Sequence, residues 1–386
     1  MNLIERTKQL AGLFSLKQPV AFPDAPVDCL PFSFVQEMGM ADIDGLQQNV
    51  RVTDLCAVPD ATIHENKYFS YSVFTPRKGT QFDRAILMLH GLNERSWDKY
   101  LVWAEDLVRT CGVPVILFPL AFHMNRTPVA WTQPRWLMPW VNKRKAQILN
   151  LCNASFCNVA LSARLSDSPS RFYVSGRETI FNVEQLVTQI KQGAHPLFKE
   201  GTHVDIFAYS VGALLSQVML SANPGHLLDD TRLFTFCGGS LFEKMNGNAR
   251  DIIDQDAYEA IRSYYLSYFV HSKQREDAPF SYCFDAIEQS FKWMIAPDVW
   301  RGEREGFFAA VKDRVKMLTL RQDTVVPTLG ARQAVGSLLE DTMVEELDFP
   351  FAYSHQVPFP TTTKIPEEVL QASFRSVFDR AGAFLA

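Results

Sequence analysis

Phe207-Ala208-Tyr209-Ser210-Val211-Gly212-Ala213 joins an apolar run, residues 204–208, to a helical segment, residues 211–221. Ser210 stands between two small residues, Ala208 two places before it and Gly212 two places after it. A sharp turn from strand to helix needs that spacing, because larger side chains there collide with the adjoining strand and helix. The other reading of the same residues is a serine that only caps a helix. Context separates the two, and the runs around this stretch supply it. Residues 85–89, 113–117, 204–208, 233–237, 315–320 and 343–347 are short, mostly apolar runs. Continuous rather than alternating runs are what a parallel sheet buried on both faces requires. Helical segments at 98–110, 177–192, 211–221 and 366–385 fall between or after them. The expected class is therefore α/β, a mostly parallel central sheet with helices on both faces.

Composition agrees with a folded enzyme-sized chain. Of 386 residues 47% are hydrophobic and 21% charged, with a net charge of −5, which excludes disorder as the main state. The longest apolar stretch, 113–122, contains Pro114 and Pro119 and spans about half a bilayer, so no transmembrane segment is expected. The first residues mix charged and apolar side chains at helical spacing, which points to synthesis without an export signal and a cytoplasmic location. Cys29, Cys56, Cys111, Cys152, Cys157, Cys237 and Cys283 are scattered and form no CxxC pair, so free thiols are expected and no metal site. No basic tract is dense enough for nucleic acid. HExxH, GxxxxGK[ST] and a GxGxxG after a strand are all missing, so no cofactor is expected.

Three more motifs lie in order around the serine. The run at 85–89 ends in His90-Gly91-Leu92-Asn93. The run at 315–320 passes into Asp323, a small turn and Pro327. Tyr353-Ser354-His355-Gln356 follows the last run, with His355 32 residues beyond Asp323. The chain order Ser, Asp, His resembles that of the α/β-hydrolase superfamily, and the resemblance covers roughly residues 70–386. It implies a nucleophile elbow at Ser210, supported by Gly212, with Asp323 as acid and His355 as base. It also implies an oxyanion hole formed by the backbone N–H groups of Leu92 and Val211, with His90 and Gly91 bracing that loop. Glu243, after the run at 233–237, is the rival acid. There is no HGGG run, a departure from the hormone-sensitive-lipase-like esterases.

Residues 1–80 read as an N-terminal extension packed on a hydrolase domain of residues 81–386, with insertions at about 123–176 and 242–312 that form an aromatic lid. Twenty-nine phenylalanines are ample for such a roof, since few fall in the expected strands. Tyr209, His123, Asn125, Arg126 and Trp131 are candidate contacts to substrate, the Asn and Arg to a polar or anionic part of it. The expected partner is a small-molecule acyl substrate, an ester, thioester or amide. Acyl transfer by the same triad and a catalytically silent binding protein are the competing readings.

Overall fold

The computed structural model describes residues 2–37, 59–274, 285–361 and 364–386. Among these, nine strands form one sheet: β1 (Val20–Ala21), β2 (Val27–Val35), β3 (Tyr68–Pro76), β4 (Phe82–Leu89), β5 (Val115–Leu117), β6 (Phe198–Tyr209), β7 (Leu233–Phe236), β8 (Val315–Leu320) and β9 (Val344–Leu347). Their order is β1-β2-β3-β5-β4-β6-β7-β8-β9. From β5 to β9 every neighbouring pair is parallel; β1, β2 and β3 pair antiparallel at one end. This is the α/β-hydrolase fold.

The two faces follow from the alternation of side chains along each strand. Ile86, Met88, Phe207 and Tyr209 pack with helices Leu3–Leu13, Asp98–Cys111 and Glu367–Leu385. Leu87, Leu89, Ile206 and Ala208 face the other way, onto helices Arg171–Lys191, Val211–Ala222 and Ala286–Trp293. Both faces are covered, so the central positions of these strands are mostly apolar, which explains the runs.

Strand order also places the site. After β4 the chain crosses to β5 on one side, then returns to β6 on the other, so the direction of winding reverses at the β4–β6 pair. Connections leaving in opposite directions open a crevice at the carboxyl ends of those strands. Leu89 pairs with Ala208 there, and the next residues on each strand are His90-Gly91 and Tyr209-Ser210.

The first 80 residues correct one expectation. They are not an extension laid on a finished domain: β1, β2 and β3 belong to the sheet, and β3 pairs directly with β5. Antiparallel pairing and Pro31 obscured β2. Beyond Asp28 and Cys29 that strand has no partner from β1, and an edge strand tolerates a proline. Phenylalanine is accordingly commoner in strands than expected, with Phe32, Phe34, Phe69 and Phe74 in β2 and β3.

The two long connections are largely helical. Helices Pro134–Gln147 and Val159–Asp167 lie between β5 and β6; Gln255–Ser263, Ala286–Trp293 and Arg301–Ala310 lie between β7 and β8. They meet where the Arg144 guanidinium pairs with Asp254 at 2.9 Å. No helix among the described residues is long and apolar enough to cross a membrane. Cys29, Cys111, Cys152, Cys157 and Cys237 are free, while Cys56 and Cys283 lie outside the described residues.

Candidate active site

Ser210 sits at the turn from β6 into helix Val211–Ala222 with φ 56° and ψ −122°, a conformation a non-glycine residue adopts only when its surroundings force it. The forcing is visible. A Cβ on Gly212 would lie 2.7 Å from the carbonyl oxygens of both Leu89 and His90, so helix and β4 can approach this closely only through glycine. Ala208, fully buried, fills the first small position. A Cβ on Gly91 would meet Ser210 Cβ at 3.3 Å, which brings the β4 loop hard against the serine.

Three residues expected from separate parts of the chain come together. His355 Nε2 lies 2.7 Å from Ser210 Oγ, and His355 Nδ1 lies 2.7 Å from Asp323 Oδ2. All three are at least nine-tenths buried. Asp323 Oδ1 accepts the backbone N–H groups of Val325 and Val326, both at 2.9 Å, so each carboxylate oxygen has a partner. A carboxylate on Nδ1 requires the proton there, which leaves Nε2 as the basic nitrogen facing the serine. Such a chain can deprotonate a serine as it attacks a carbonyl.

Leu92 and Val211 flank the serine as walls of the same apolar cavity. Val211 opens a helix, and a first helical N–H has no acceptor within its own helix. His90 is buried, with both ring nitrogens on backbone partners. Leu120 N–H donates to its Nε2 at 3.0 Å, so the ring proton is on Nδ1, 2.8 Å from the Gly91 carbonyl. Burial, reinforced by His123, pushes its pKa far below the usual imidazole value.

The rival acid is not part of this constellation. Glu243 pairs with its neighbour Lys244 at 3.3 Å, while its backbone N–H is held by the Ile295 carbonyl. One expected substrate contact is corrected. Arg126 is completely buried and stacks over the Phe69 ring at 4.1 Å; it donates to Asn66, the Pro119 carbonyl and Asn182. Desolvation lowers its pKa to about 10, opposed by Glu178. Asn125 donates to the Ser70 carbonyl at 2.9 Å. Its side-chain oxygen is buried and has no hydrogen-bond partner, so only Arg126 has its donors committed within the protein. Tyr209 is also buried, and its hydroxyl donates to the His355 carbonyl. Trp131 lines a cleft beside the site, with the Arg164 guanidinium 4.3 Å over its ring. His123 is buried between that cleft and a second, apolar cavity.

Sequence reading missed a group that ties the loops together. Lys99 Nζ pairs with Glu94, donates to the Gln356 carbonyl at 3.0 Å, and lies 4.6 Å over the Tyr209 ring. Glu94 accepts the Tyr100 hydroxyl at 2.8 Å, and that hydroxyl accepts Gly91 N–H at 3.0 Å. Their nearness to the His90-Gly91 pair was the one available signal. Cys237 was also passed over; it is fully buried, and burial together with the negative Asp323 raises its thiol pKa. Among the described residues no cluster of three His, Cys, Asp or Glu side chains could hold a metal.

Around Ser210 the surface divides. One side is apolar, with Phe172, Phe242, Met245, Ile252, Tyr258 and Val326. The other is a larger polar cleft, with Asn93, Glu94, Arg95, Lys99, Asp251 and Gln356.

Among solved structures the chain is similar to carboxyl esterase 2 from the mycorrhizal fungus Tuber melanosporum, with 9% identity, TM-score 0.43 and all of both chains covered. A thermophilic carboxylesterase cloned from a metagenomic library is similar at 10% identity and TM-score 0.42, covering 99% of this chain and 95% of that one. Acetyl xylan esterase 1 from Thermoanaerobacterium sp. JW/SL YS485 is similar at 12% identity and TM-score 0.41, covering 96% and 92%. No curated protein sequence matches. A family model does match, over residues 28–386, nearly the whole chain, and the protein therefore belongs to DUF6051, a family of unknown function.

Proposed function

We propose that this chain is a cofactor-independent serine hydrolase that cleaves an ester, thioester or amide through an acyl-enzyme on Ser210. The observation that carries the reading is the unbroken chain Ser210 Oγ, His355 Nε2, His355 Nδ1, Asp323 Oδ2, with both gaps 2.7 Å, on a serine held in a strained turn. Ser210 Oγ attacks the carbonyl carbon while His355 Nε2 takes its proton. Asp323 keeps the imidazole oriented and stabilises its protonated form. The backbone N–H groups of Val211 and Leu92 receive the negative oxygen, each worth on the order of 100- to 1000-fold in rate. His355 then gives its proton to the leaving group. Water, deprotonated by the same nitrogen, attacks the acyl carbon and releases the acid.

Substrate polarity follows the two sides of the site. The apolar walls from the long connections, Phe172, Met245, Ile252 and Tyr258, roof an acyl chain or aromatic acyl group. The polar cleft with Asn93, Arg95 and Lys99 leaves room for a leaving group that forms hydrogen bonds. A series of p-nitrophenyl esters of increasing acyl length tests the reading. Turnover that rises beyond acetyl and vanishes in Ser210→Ala is expected. Equal turnover by wild type and Ser210→Ala overturns it.

A further inference from the structure

Resting on the hydrolase reading above, we infer that the cavity beside Leu92 and Val211 is a subsite for an apolar group carrying one hydrogen-bond donor, a hydroxyl or an amide N–H, which His123 Nε2 accepts. The cavity shares Leu92, Val211 and Phe172 with the pocket that contains Ser210, so it opens next to the reacting centre. Its other walls are largely aliphatic and aromatic, including Ile180, Leu214, Val218 and Phe291. Five polar side chains interrupt them, the Tyr173 hydroxyl included, and four have partners within the protein. Thr179 Oγ1 donates to the Ser175 carbonyl at 2.8 Å and accepts Ala121 N–H at 2.9 Å. Ser175 Oγ donates to the Phe172 carbonyl at 3.1 Å. Arg177 donates to the Tyr173 hydroxyl at 3.0 Å and to Asp285 at 2.9 Å.

His123 is the exception. Its Nδ1 lies 2.8 Å from the Ala121 carbonyl, an acceptor, so Nδ1 carries the proton. Nε2 is then a bare acceptor, buried and without a hydrogen-bond partner. Burial lowers the ring's pKa to about 4, so it remains neutral and accepting at ordinary pH. A buried polar atom left unpaired costs stability, and its persistence in an otherwise satisfied pocket points to a ligand that completes it.

The backbone around His123 supports a held, functional placement. The residues on either side, Phe122 at φ 60° and Met124 at φ 52°, both occupy the left-handed region. Neither is glycine, and strain of this kind persists only where surrounding structure imposes it. Asn66 Oδ1 supplies part of that restraint: it accepts both Phe122 N–H and the Arg126 guanidinium at 3.0 Å. The Arg126 network, which the sequence suggested as a ligand contact, thus fixes the turn that presents His123.

The experiment compares matched ligands that differ only in the donor. Esters of hydroxyalkanoic acids, with the hydroxyl moved carbon by carbon along the chain, are paired with their methoxy analogues, which keep the oxygen and lose the proton. Affinities are measured by calorimetry on Ser210→Ala protein, so that no turnover is needed. At one hydroxyl position the hydroxy member is expected to bind roughly tenfold more tightly. His123→Leu removes that preference and His123→Gln, which keeps an acceptor, retains part of it. Equal affinities at every position, no binding by either member of any pair, or a preference that survives His123→Leu overturns the subsite. The comparison within the parent protein stands even where a His123 variant folds poorly. A failure of the hydrolase reading shows elsewhere, as Ser210 that does not react, and leaves this binding comparison intact.

Discussion

Tyr209, the residue just before Ser210, donates its hydroxyl to the backbone carbonyl of His355, and its ring stacks on the imidazole with centres 5.4 Å apart and planes 24° from parallel. The β6 end that carries the serine therefore also holds the loop that carries the histidine. Tyr209→Phe keeps the stack and loses the hydrogen bond. A loss of one such bond is worth about 1 kcal/mol. Steady-state kinetics should show kcat lower by roughly fivefold with KM little changed; an equal rise in KM would mean that Tyr209 contacts substrate instead.

Asp323→Asn should leave the fold intact, because the side chain retains an oxygen for Val325 and Val326 N–H. It alters the preferred imidazole tautomer, since an amide nitrogen would face Nδ1. Ester turnover is expected to fall by roughly 10⁴-fold while the melting temperature stays close to wild type. A fall of less than tenfold would remove Asp323 from the catalytic chain.

Gly212→Ala places a methyl group 2.7 Å from two main-chain carbonyl oxygens, Leu89 and His90, and backbone cannot move aside as a flexible side chain can. Thermal or urea unfolding should report a loss of about 1–3 kcal/mol, along with the loss of activity. A variant as stable as wild type would contradict the close packing of this turn.

Acid should weaken the fold through His90 and His123. Both are held neutral in the folded state, His123 with a pKa of about 4 against the ordinary 6.5. On unfolding each regains its ordinary affinity, so the unfolded chain binds more protons between those values. The contribution is fully present above about pH 6.5 and is lost as pH falls toward 4, to the extent of about 3 kcal/mol for His123. Urea denaturation across that window should show a shallower dependence in His123→Gln than in wild type; identical slopes would mean that His123 is not held neutral.

Which parts could be read from residues alone has a physical pattern. β4, β6, β7 and β8 are buried on both faces, so their apolar runs marked them, and each motif lies at a strand's carboxyl end. The stretches around Ser210, Asp323 and His355, which the structure brings within hydrogen-bond distance of one another, stood out because each is constrained locally. β2 was hidden because it pairs antiparallel, passes through Pro31 and has buried and partly exposed positions in alternation at its start. Arg126 was misjudged for a different reason: its partners Asn66 and Asn182 lie more than fifty residues away. The Tyr209–His355 contact spans 146 residues and is likewise a product of tertiary structure.

The most direct test of the central claim is labelling of the folded protein with a fluorophosphonate, read by intact mass and peptide mapping. The expected result is one adduct per chain, on Ser210, absent from Ser210→Ala and greatly slowed in a His355→Ala variant. An adduct that persists in Ser210→Ala, or folded wild-type protein that takes no label on Ser210, would contradict the account.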